Sequence, residues 1–166
     1  IFMLPEGFKL SYLDSGIIRI VVALNRIPEV STMTTGEGHV WRDTPFWPTK
    51  WGWVHFDKPR GVHEGLIESI NDYCAKNEFF SMTKPYKISQ RSLDYKRTIE
   101  ARFEDHQNGA LFDRISKEEQ EKYFERAEVR KGQLLRGWDE LGEVVENYII
   151  QNITKDIYSL PFVLVE

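Results

Sequence analysis

Apolar residues recur along this chain first with a helical period and then with an alternating one. Ile17, Ile20, Val21, Leu24 and Ile27 fall three and four apart, which predicts one face of a helix from Ser15 to about Ile27. Asp14 stands where a side chain caps such a helix. The segment is also rich in β-branched residues, so a strand is the competing reading. Pro28 ends the element in either case. Val30 to Thr35 predicts a short strand closed by Gly36-Glu37-Gly38-His39, and Val40 to Lys50, with Pro45 and Pro48, predicts a loop. Trp51 to Phe56 alternates: Gly52, Val54 and Phe56 form a core side, while Trp51, Trp53 and His55 share the other. Asp57-Lys58-Pro59-Arg60-Gly61 closes that strand. A helix from about Val62 to Asn77 then turns Leu66, Ile67, Ile70, Tyr73 and Cys74 inward.

Pro85 to Leu93 and Tyr95 to Asp105 predict a hairpin turning near Asp94. In its second arm Tyr95, Arg97, Ile99, Ala101 and Phe103 alternate with Lys96, Thr98, Glu100, Arg102 and Glu104. Ser116 and Glu119 have capping-box spacing. They open a long helical stretch to about Ile153, on which Phe124, Ala127, Leu134, Trp138, Leu141, Val145 and Tyr148 recur at spacings of three and four. Gly132, Gly137 and Gly142 argue against one unbroken helix. The first ten residues read as a loose lead-in, and Phe162 to Val165 as a last short strand. This order predicts an α+β fold: a largely antiparallel sheet of about four strands, helices packed on it and a long C-terminal helix, all in one domain over residues 1–166.

Composition narrows the class further. The 166 residues are 41% hydrophobic and 29% charged, which is globular rather than disordered or collagen-like. The richest apolar run, Ile17 to Leu24, is broken by Arg19 and falls short of the roughly 18 to 20 residues a membrane span needs. No secretory signal pattern is present, and the chain opens on Ile1, so its true start is expected to be missing. One cysteine, Cys74, rules out an internal disulfide and a four-cysteine zinc site, and points to a cytoplasmic setting. A net charge of −4 and a pI near 5.7 argue against duplex DNA as a partner.

Candidate chemistry concentrates around the first glycine loop. Two glycines one residue apart let a backbone approach a ligand closely with its amides. Gly36, Glu37, Gly38, His39 and Arg42, with Trp53 and His55 on the next strand, are therefore the expected site for a small polar or anionic ligand over Gly36 to Asp43. A plain tight turn is the alternative. The loop lacks the Gly-Lys-Ser/Thr of a phosphate loop and the third glycine of a dinucleotide fingerprint. The four histidines are His39, His55, His63 and His106. Zinc takes such ligands, but no His-x-x-x-His pair exists, so no metal is assigned and no cofactor is indicated. Two rivals stand beside ligand binding. One is a metal-assisted or nucleotide- or RNA-modifying enzyme using His39 and Glu37. The other is a homodimer formed through the C-terminal helix and a Trp-rich sheet face, where Trp51, Trp53 and His55 would join Lys87, Arg91, Lys96 and Arg102.

The stretch Leu24-Asn25-x-x-Pro28-x-Val30-x-Thr32-x-x-Thr35-Gly36-x-Gly38-His39, followed by Val54-His55-Phe56, resembles a pattern in small α/β proteins. Those carry a helix, then Pro-x-Val-x-Thr-x-x-Ser-Cys-x-Gly-His, then an apolar strand. A distantly similar Ser-Ser-Cys-x-Gly loop occurs in the tRNA wybutosine-synthesis methyltransferases. The resemblance covers residues 20 to 56 and carries over Gly38 and His39. Thr35-Gly36 stands where that pattern has Ser-Cys, so chemistry that needs the thiol is not expected here.

Overall fold

The computed structural model describes residues 2–3, 13–43, 48–86, 94–103, 112–154 and 162–163. In chain order the elements are β1 (Phe2–Met3), α1 (Ile18–Arg26), β2 (Ser31–Gly36), β3 (His39–Val40), β4 (Thr49–Lys50), β5 (Gly52–Pro59), α2 (Glu64–Lys76), β6 (Phe80–Met82), β7 (Asp94–Ala101), α3 (Lys117–Asn152) and β8 (Phe162–Val163). The main sheet has four strands in the order β2-β5-β7-β6, every pair antiparallel. Two small pairs accompany it, β1 with β8 (parallel) and β3 with β4 (antiparallel). The fold is α+β.

One face of the sheet is the core. Along β5, Gly52, Val54, Phe56 and Lys58 are buried and the residues between them are half-exposed. Val54 and Phe56 are fully buried, as their alternation predicts. Burying Phe56 is worth about 1.5 to 3 kcal/mol. The strand runs on to Pro59, so Asp57 and Lys58 belong to it rather than to the turn after it. Ile99 and Ala101 of β7 complete the inner stripe. Phe80–Met82 forms a strand on the far side of β7 that three residues were too few to announce. The expected arm from Pro85 to Leu93 lies mostly outside the described residues, although Tyr86 bridges Lys96. Lys87, Arg91 and His106 lie outside them too.

Three helices supply the other half of the core. All five apolar positions of the first helical segment are buried. Its start differs from expectation: Ser15–Ile17 is a 3-10 turn, and the Asp14 side chain makes no capping hydrogen bond. Asn25, buried at the end of α1, donates to the Val21 carbonyl and to Thr32 Oγ1 and accepts from the Thr32 amide, which joins α1 to β2. α2 begins at Glu64, two residues late, because His63 adopts a left-handed backbone with φ 54°. α3 opens on the Ser116/Glu119 capping box and runs unbroken for 36 residues. Phe124, Leu134, Trp138, Leu141, Val145 and Tyr148 are all buried along it. Gly137 is needed because the Phe80 ring would lie 2.2 Å from an added Cβ.

Candidate functional site

The glycine loop is a packed joint. The Gly36 backbone lies under the Trp53 ring, 2.6 Å from where a Cβ would stand, and Gly38 has φ 97°. Two residues about two turns apart on α3 grip the loop: Lys131 pairs with Glu37 Oε1 at 3.3 Å, and Trp138 Nε1 donates to the Glu37 carbonyl at 3.0 Å. Glu37 Oε2 accepts the Gly16 amide at 2.8 Å. Asp14 Oδ2 accepts the Glu37 amide at 3.0 Å and lies 3.1 Å from His39 Nε2. Asp14 therefore closes this joint instead of capping α1.

Asp14, Glu37 and His39 offer one ligand atom each within 4.8 Å of one another, which is metal-ligand geometry. Three of their four carboxylate oxygens nonetheless have partners. Both Glu37 oxygens have partners, and the Lys131 ammonium already supplies a positive charge. An anion here would meet two carboxylates, and the Glu37 amide that would greet it is donated to Asp14.

The other expected site residues scatter. Arg42 donates to both oxygens of Glu121 on α3 at 2.9 Å and lies 4.9 Å from the Phe124 ring centroid. His55 sits on the outer sheet face with Nδ1 2.6 Å from Thr98 Oγ1. Burial, then the Lys96 charge, holds its imidazole below the ordinary histidine pKa. Trp53 lies on that face with Lys50 Nζ 4.5 Å from its ring centroid, whereas Trp51 packs against the core with Arg102 5.8 Å from its ring centroid. Cross-strand neighbours on the outer face are Trp53 with Glu100, His55 with Thr98 and Asp57 with Lys96. Its described charges are thus of both signs rather than uniformly basic. Phe124, Leu134, Trp138, Leu141 and Val145 of α3 are buried within the chain.

A different cluster forms at the far end of β5. There the inner stripe changes from apolar to cationic: Lys58 follows Phe56 on β5, and Arg97, paired in register with Phe56, follows Ile99 on β7. A cavity of about 450 Å³ opens beside them, lined by Lys58, Arg60, Gly61, Glu64, Pro85, Tyr95 and Arg97. Among the described residues, three cations thus face one carboxylate. The Lys58 side chain is 1% exposed, and its ammonium donates to the Pro59 and Val62 carbonyls and to Glu64 Oε1. The same Glu64 oxygen accepts the Gly61 amide at 3.0 Å. The Lys58 hydrogen bond holds the Glu64 carboxyl below its ordinary range.

Arg97 has no such partner. Its Nε is shielded from solvent without a hydrogen bond, and among the described residues its guanidinium makes no ion pair. Burial pulls its pKa below the usual arginine value, with Glu64 only partly opposing. Arg60 is exposed and lies 5.9 Å from the Tyr95 ring centroid. In a second cavity of about 380 Å³ the arginines lie against rings instead: Arg130 is 3.2 Å from the Phe79 centroid, and Arg102 faces Trp51.

No protein-family model matches the chain, and neither a curated protein nor a solved structure matches it. Sequence reasoning placed Arg97 on the inward side of its strand but attached no chemistry to it, and it left Lys58 and Arg60 in a turn. The signal was a break in pattern: inward positions on two neighbouring strands turn cationic at the same end.

Proposed function

We propose that this protein binds a small anionic ligand in the cavity between Arg60 and Arg97. The supporting observation is the Arg97 guanidinium, half-buried beside a cavity and, among the described residues, with no carboxylate bonded to it. A buried cation without a partner costs stability, and an anion arriving there recovers that cost. This keeps the ligand class expected from the sequence but moves it from the Gly36–Asp43 loop to the opposite end of β5. The loop's amides and carboxylates serve one another, whereas the cavity's cations outnumber its carboxylate. Work in the cytoplasm fits the half-buried Cys74, whose thiol burial pushes up to about 11 and so keeps unreactive.

The test is calorimetric titration of phosphate, sulfate, citrate and benzoate into wild type and Arg97→Gln. At least one anion is expected to bind wild type, and the substitution is expected to weaken it about tenfold or more, the scale of a charge-assisted hydrogen bond. Absence of binding to wild type, or equal binding to the variant, overturns the proposal.

A further inference from the structure

We infer that the anion taken by this cavity is a phosphate monoester bound as its dianion. This rests on the anion-binding reading above and adds the ligand's class. The charges around the cavity divide into a closed set and an open one. Lys58 and Glu64 answer each other, with the Pro59 and Val62 carbonyls taking the remaining ammonium hydrogens. Among the described residues Arg60 and Arg97 are left without a carboxylate, one after β5 and one on β7. A single negative charge answers one of them and leaves the other unbalanced. A phosphoryl dianion carries both charges on one centre with three accepting oxygens, and guanidinium forks match that geometry.

The remainder of the ligand follows from the space and its walls. A cavity of about 450 Å³ is several times larger than a phosphoryl group, so an organic group fills the rest. Pro85 and the Tyr95 ring line it beside the cations, which favours an apolar, flat substituent. The half-exposed Glu64 carboxylate repels a second anionic group placed away from the arginines. One phosphoryl ester satisfies all three conditions.

The groups facing the ligand are Lys58 of β5, Arg60 after it, Glu64 of α2, and Tyr95 and Arg97 of β7. Side chains of these four types ordinarily titrate outside roughly pH 5 to 8, whereas a phosphate monoester loses its second proton near pH 6. His63 is close in sequence, but its ring nitrogens face the Tyr148 hydroxyl and the Pro28 carbonyl. The experiment therefore compares phenyl phosphate, phenyl sulfate (a monoanion throughout) and phthalate (an aromatic dicarboxylate) by titration at several pH values.

Phenyl phosphate is expected to bind about tenfold more tightly than phenyl sulfate at about pH 8 and to lose roughly tenfold by about pH 5, while phenyl sulfate stays level. Arg60→Gln and Arg97→Gln should each erase the preference for phosphate over sulfate. Equal binding of phosphate and sulfate esters with level pH profiles overturns the dianion and leaves a monoanion site. Tighter phthalate than phenyl phosphate overturns the phosphoryl group. Failure of all three probes and of the simple anions overturns the site itself.

Discussion

The two ends of β5 are built from similar materials to opposite effect. At the Gly52 end, Asp14 and Glu37 meet Lys131, His39 and two backbone amides. At the Pro59 end, Lys58 is answered by Glu64 and two carbonyls, while among the described residues Arg97 and Arg60 have no carboxylate bonded to them. Both ends cluster ionisable groups beside the core, and both would draw notice as sites. The difference lies in the balance. A cluster whose hydrogen bonds close on themselves fixes a loop, and one with charge left over has affinity to give.

That contrast breaks most easily at the acidic end's anchor. Trp138 is fully buried and donates to the Glu37 carbonyl. Trp138→Ala should cost about 3 to 5 kcal/mol of stability in urea denaturation. An unchanged midpoint would mean the joint is not held from α3.

A sharper trial pairs one substitution from each end. Glu37→Gln removes the partner of Lys131 and weakens the bond from Gly16, at a cost of about 1 to 2 kcal/mol. Arg97→Leu removes a half-buried cation to which no carboxylate among the described residues is bonded, and should leave stability level or raise it by up to about 1 kcal/mol. Anion binding should show the reverse ordering, kept in the first variant and lost in the second. If both variants lose stability and neither loses binding, the two ends do not differ as described.

The smallest effect is a pH dependence. Lys58 lowers the Glu64 carboxyl below its ordinary value of 4.5. A carboxyl depressed on folding adds stability above its unfolded pKa, and that stability is lost as pH falls through the folded pKa. Wild type should therefore melt above Glu64→Gln at neutral pH, and the two melting curves should converge below pH 4.5. A gap that persists in acid would assign the difference to packing.

Alternation and helical spacing read out whatever repeats. Val54, Phe56 and Ile99 announce their faces, as do the buried positions of α3. What does not repeat stayed hidden. Asp14 occupies a cap position, and nothing local reveals that the Glu37 amide, 23 residues on, takes its carboxylate. The glycine loop looked open because its partners Lys131 and Trp138 lie about a hundred residues away. Arg97 could be placed inward, but whether a carboxylate faces it depends on how Glu64 is shared with Lys58. Each of these is a question of pairing across the fold, and pairing leaves no period in a sequence.

The contacts of α3 also constrain the order in which the chain matures. Arg19 is held by Glu146 across 127 residues, Glu37 by Trp138 across 101, and His63 by Tyr148 across 85. α3 follows every strand of the main sheet along the chain, so the growing polypeptide carries an incomplete core until that helix has been synthesised. Closing such wide loops is slow relative to local pairing. During that interval the core around Val54, Phe56 and Ile99 has α1 and α2 but lacks the share that α3 supplies, which makes a ribosome-bound nascent chain ending before Ser116 a natural client for chaperones.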